Sequence, residues 1–170
     1  MAAEIGPEVV LMCGIAGSGK TTFAQRLERN GYLRLAIDEA VWGCFGRYGI
    51  DYDATEYAQK SLLAEVSLRE RLVSEIGRAR NIVVDNAFWN GATRDEYRRL
   101  ISDAGGRSRL IYLKAEPELL RQRLLRRAER FDANAAFAIT EQTLAFYPRA
   151  FEEPQDEGEE VILVADDGDR

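Results

Sequence analysis

The chain has 170 residues, 46% of them hydrophobic, with two cysteines and no histidine; this length suits one domain with its own core, and two cysteines are too few for a disulfide framework or a zinc site. The absence of histidine directs the search for a proton acceptor to carboxylates, and the absence of any long apolar run or export-type leader predicts a cytoplasmic protein with no membrane span. The net charge of −6 is a property of the C-terminal end, where residues 152–170 hold nine acidic side chains against Arg170 alone; residues 1–151 carry 22 basic and 20 acidic side chains, so the body can accept a polyanion.

The first predicted strand, Glu8–Cys13, runs directly into Gly14-Ile15-Ala16-Gly17-Ser18-Gly19-Lys20-Thr21, which spells G-x-x-x-x-G-K-[ST]. The glycines let the backbone point several N–H groups at one anion, and a helix opening at Lys20 adds its positive dipole end. In this reading Gly14, Ala16, Gly17, Ser18, Gly19 and Thr22 belong to an ATP phosphate cradle. Lys20 reaches the β- and γ-phosphates, and Thr21 offers its hydroxyl to Mg²⁺. The helix continues through Leu27 and stops at Asn30-Gly31.

A second strand, Tyr32–Ile37, ends at Asp38. Two roles fit this carboxylate: a helix N-cap, or a general base facing the γ-phosphate from the ligand edge of the sheet. Trp42, Phe45, Arg47 and Tyr48 follow. A long helix is predicted over 54–80, with Tyr57, Leu62, Leu63, Val66, Leu72, Val73 and Ile76 in one apolar stripe.

The third strand, Asn81–Asp85, is apolar until its final carboxylate, the form taken by the aspartate that supports Mg²⁺ in phosphate-loop proteins; Asp85 also fits an acceptor contact or a plain turn residue. Trp89 and Arg94 come next. After a fourth strand, Arg107–Leu113, the segment 119–130 holds five arginines, with Arg123 and Arg127 on one helical face and Arg126 and Arg130 as a neighbouring pair. They are either a solvated basic face or guanidinium groups aimed at a transferring phosphoryl. A turn-rich loop containing Pro154 leads to a last strand, Val161–Ala165. This alternation predicts an α/β domain over 1–165, a single open parallel sheet with helices on both faces, followed by an acidic tail over 166–170. Ligands in such sheets sit outside the carboxyl ends of the strands. The guanine-reading N-K-x-D is absent, and Asp103-Ala104-Gly105-Gly106 precedes a strand instead of following one, which argues against a GTP switch.

With Gly14–Thr21, Asp38, Asp85 followed by Arg94, the Arg123/Arg127 pair and the Phe151–Gly158 loop in hand, the chain resembles the adenylate-kinase-like branch of phosphate-loop phosphotransferases. That branch includes chloramphenicol phosphotransferase, gluconate kinase, zeta toxin and the 5′-kinase domain of bacterial polynucleotide kinases. The resemblance implies a five-stranded sheet in the order 2-3-1-4-5, a short lid over Phe131–Ile139, ATP as donor, Asp38 as the activating base and Arg127 as the lid arginine on the phosphates. It also implies Arg123 and the Pro154 loop beside the adenine. Aromatic residues with few charges after strands two and three suit a neutral hydroxyl compound such as an antibiotic, nucleoside or sugar. The alternatives are a 5′-hydroxyl polynucleotide, held by Arg47 and Arg94, and a non-catalytic ATP-binding module.

Overall fold

A computed structural model of the chain describes residues 6–127, 129 and 140–165. Five strands, β1 Glu8–Cys13, β2 Leu33–Ala36, β3 Ile82–Asp85, β4 Arg107–Ala115 and β5 Glu160–Val164, form one all-parallel sheet in the order 2-3-1-4-5. The apolar run of β1 is central and covered on both faces, as parallel strands require. Val9, Leu11 and Cys13 enter one core layer, Val10 and Met12 the other.

The helices are α1 Lys20–Arg29, α2 Ile37–Phe45, α3 Tyr57–Gly77 after a 3-10 turn at Ala54–Glu56, α4 Gly91–Asp103, α5 Pro117–Arg127 and α6 Glu141–Ala150. Ala24 of α1 packs on the face of Val10 and Met12, whereas Leu68, Leu72 and Ile76 of α3 and Tyr97 and Ile101 of α4 pack on the opposite face. The register aligns Met12 and Ala36 with Asp85. Three chain reversals carrying polar residues therefore leave the sheet at one level. Phe131–Ile139, Arg130 and the 166–170 tail lie outside the described residues.

The stripe predicted for the long helix divides. Leu72 and Ile76 are buried together with Ala64 and Leu68, but Leu62, Leu63 and Val66 are more than half exposed, and Val73 is exposed too. The buried row is spaced by four residues, and the helix carries more apolar side chains than its one packed face can take. The helix also starts at Tyr57 instead of 54, because Asp53 and Glu56 close a capping box around the 3-10 turn.

Leu72→Ala is expected to lower the unfolding free energy by about 2–5 kcal/mol, and Leu62→Ala to change it by no more than about 0.5 kcal/mol. Urea denaturation of the two variants checks which row faces the core.

Candidate active site

The loop between β1 and α1 owes its shape to glycines at positive φ. Gly17, at φ 87°, has Leu124 Cγ 3.1 Å and Leu120 O 3.3 Å from where a Cβ would stand, so the loop closes against α5. Gly19, at φ 98°, occupies the N-cap of α1 and supplies no side-chain cap. The first N–H groups of α1 are thus left facing the loop, the arrangement that binds phosphate. Ser18 Oγ is buried inside the loop with no hydrogen-bond partner among the described residues.

Lys20 begins α1 and its Nζ donates across the loop to Ile15 O at 3.1 Å. Burial pushes its ammonium down to about 8, while the Asp85 and Asp38 carboxylates favour the charge and Arg127 opposes it. Asp85 is itself buried, which raises its carboxyl; Lys20, Arg34 and a hydrogen bond from the Thr21 hydroxyl pull it back. Asp38 lies in the first turn of α2. The N-cap there is Ala36, so the capping role read for Asp38 is not realised. Burial, then the charge of Asp85, raise the Asp38 carboxyl, and Lys20 and Arg127 lower it. The Tyr57 hydroxyl donates to Asp38 Oδ1 at 3.5 Å.

Beside this cluster a cavity of about 710 Å³ runs from Gly17–Thr22 past Arg123, Arg126 and Arg127 to Ile162–Ala165 at the end of β5. Its size suits a small-molecule ligand. Arg123 spans it, donating to Gly17 O at 3.5 Å and Ala165 O at 3.3 Å. A metal ion would find the Thr21 hydroxyl with Asp85 directly behind it. Among the described residues there is no group of three or more acidic or thiol side chains that could cage an ion unaided. Such a sparse donor set fits Mg²⁺, which keeps waters and takes most of its other ligands from substrate phosphates.

Sequence reasoning missed two contributors. Arg34 donates through Nη1 to Asp85 Oδ2 at 2.8 Å and through Nη2 to Glu39; its signal is a lone charge inside the short strand Leu33–Ala36. Tyr147 is close enough to Asp38 and Arg127 for both to act on its hydroxyl. Its ring lies 5.5 Å from that of Trp89, and Tyr57, which donates to Asp38, has the Tyr48 ring at 5.6 Å. Trp42 is half-buried on α2.

The sequence profile of the AAA domain matches residues 9–154. Among solved structures, a candidate kinase from Chloroflexus aurantiacus j-10-fl superposes with a TM-score of 0.75 at 19% identity, covering 95% of this chain and 86% of that one. A gluconokinase from Sinorhizobium meliloti 1021 gives a TM-score of 0.61 at 17% identity over 95% and 85% of the two chains. A chain of the Pnkp1/Rnl/Hen1 RNA repair complex gives 0.65 at 17% identity, with 89% of this chain covered but only 48% of that larger one. The fold is therefore that of phosphate-loop kinases.

Three residues expected at the site are engaged elsewhere in the structure. Arg94 is 1% exposed and spends its donors inside the protein, on Glu157 at 2.8 and 2.6 Å and on Phe88 O and Glu152 O, each at 2.9 Å, so it is not an acceptor-binding cation. Pro154 is buried in a loop strapped to the start of α4 by Glu152 and Glu157, whereas the cavity is lined at its far end by β5. Arg47 lies across Asp51, donating through Nε and Nη2 at 2.8 and 3.0 Å. Arg94→Met leaves Glu157 and two carbonyls without their buried partner and is expected to cost about 3–5 kcal/mol of stability. Urea unfolding checks this, and Glu157→Gln in the same background should then add little.

Proposed function

The chain belongs to the AAA-domain family, and on that premise we propose that it transfers the γ-phosphoryl group of ATP to a hydroxyl of a neutral small molecule. The observation that carries this reading is the four-charge cluster of Lys20, Arg127, Asp38 and Asp85, each close enough to shift its neighbours' ionisation, at the mouth of the phosphate loop. Asp38 accepts the proton of the acceptor hydroxyl as its oxygen bonds to the γ-phosphorus, and ADP departs with the bridging oxygen. Lys20 and Arg127 supply positive charge where the transferring group gains negative charge. Thr21 and Asp85 would hold Mg²⁺, which when bound would supply positive charge against the phosphates. Gly14–Thr22 bind the phosphates, and Arg123 stands on the nucleotide side of the cavity.

The fold does not choose the acceptor, since it is shared with a gluconokinase and with a chain of an RNA repair complex. The surroundings of Asp38 favour a compact, partly apolar hydroxyl compound such as an antibiotic, nucleoside or sugar. The Tyr57–Tyr48 and Tyr147–Trp89 pairs stand near it, and the two arginines expected to hold a nucleic-acid acceptor are engaged by Glu157 and Asp51.

Asp38→Asn is expected to lower kcat by about 10²-fold or more while ATP affinity stays within a few-fold. Turnover of antibiotics, nucleosides, sugars and 5′-hydroxyl oligonucleotides checks it: near-normal turnover in Asp38→Asn removes the base assignment, and no turnover of any acceptor by the wild type favours a binding module.

Lys20 gives a pH signature. Phosphates favour its ammonium, so the bound pKa lies above the free value of about 8. Affinity for ATP is full below that pH, falls by up to about tenfold per unit between the free and the bound pKa, where binding takes up a proton, and levels off above the bound value. Calorimetry in two buffers of different ionisation heat reads the proton, and Lys20→Met should bind more weakly without this slope.

A further inference from the structure

We propose that Arg34 is the positioning residue of the metal-side carboxylate: it holds Asp85 by one oxygen and so keeps it from closing on Lys20. This rests on the phosphotransferase reading and names a residue that reading does not require. In the sheet, Arg34 pairs with Val83 and Ala36 with Asp85, so Asp85 is the diagonal neighbour of Arg34 on the same face, within reach of a long side chain. The guanidinium Nη1 meets Asp85 Oδ2 at 2.8 Å, and both side chains are buried, at 7% and 6% exposure.

Two further carboxylates fix the guanidinium from outside. Nη2 is bonded to Glu39 on α2, and Nε lies 3.6 Å from Glu28 at the end of α1. Carboxylates from three elements thus surround one planar fork, two of them hydrogen-bonded to it and Glu28 only an ion-pair neighbour of Nε. A lysine offers no such fork. Glu39 adjoins Asp38, so the same contact ties the helix of the acceptor base to the strand of the metal-side carboxylate.

Lys20 is the competitor for Asp85. The two charges act on each other strongly, yet Nζ is directed to Ile15 O in the phosphate loop. A buried carboxylate stripped of Arg34 is left to find another cation, and Lys20 is the neighbour at hand. Closure of that pair takes the lysine from the phosphates and the carboxylate from Thr21 together. Arg34 therefore acts on both nucleotide and metal without touching either.

Calorimetric affinity for ATP, measured with and without Mg²⁺, tests the assignment. In the wild type Mg²⁺ strengthens ATP binding. Arg34→Met is expected to weaken ATP binding without metal and to shrink the gain from Mg²⁺ by about tenfold or more. In an Asp85→Asn background the same substitution should remove little further gain, because its route is already cut. A lower melting temperature with both affinities unchanged makes Arg34 a stability residue only and overturns the proposal, as does a full additional loss in the Asp85→Asn background. Where Arg34→Met does not fold, Arg34→Lys keeps the charge and loses the fork: a reduced gain supports the proposal, and a wild-type gain overturns it. A wild type that binds no ATP, or gains nothing from Mg²⁺, overturns the phosphotransferase reading as well, which separates the two failures.

Discussion

Lys20 is half-buried at the head of α1, and its charge is favoured against burial by two carboxylates, one ending β3 and one in the first turn of α2. That requirement constrains much of the fold. Asp85 must end β3 level with the end of β1, which the parallel register provides, and β2 must deliver Asp38 from the far side of β3. The order 2-3-1-4-5 achieves this by placing β3 between β1 and β2. Consecutive strands would otherwise be neighbours, and the crossover is what brings the first three chain reversals into one site.

The inner cluster of Lys20, Arg127, Asp38 and Asp85 has formal charges that cancel. Attraction for a polyphosphate must therefore come from elsewhere. The structure offers the N-terminus of α1, whose first N–H groups have no side-chain cap, and Arg123 and Arg126 along the cavity wall. Neutrality at the centre has its own use: each charge is compensated before a ligand arrives, so burial of the site is tolerable, and a phosphate anion shifts which pairs dominate.

The strands and the phosphate loop were legible because they rest on local rules. The strand reading of 8–13 coincides with β1, and the glycine pattern fixes the loop's course. What failed depended on tertiary partners. The exposed row of α3 is as apolar as its buried row, and only the positions of α2, α4 and the sheet decide between Leu62 and Leu72. Arg94 looked like a site cation because its contacts, Glu152 and Glu157, lie about sixty residues away. Arg34 was overlooked for the same reason, its partner Asp85 being 51 residues distant. Pairing across such separations leaves no spacing for sequence to show.

Arg94 nonetheless shapes the site it does not line. Phe88 sits at φ 48°, an uncommon conformation for a bulky residue, and its carbonyl is held by the guanidinium at 2.9 Å. This unusual backbone geometry sets the direction in which the chain leaves β3 and hence where Trp89 stands. Glu152 N donates to Trp89 O at 2.8 Å, and the indole meets both Tyr147 and Phe151. The strap from α6 to β5 is thus fastened to the turn after β3 by the Glu152 N–Trp89 O bond and to α4 by the bonds of Gly91 and Arg94 to Glu152 and of Arg94 and Arg98 to Glu157. The Tyr147–Trp89 contact therefore depends on Arg94 through packing, although no ligand need ever touch that arginine.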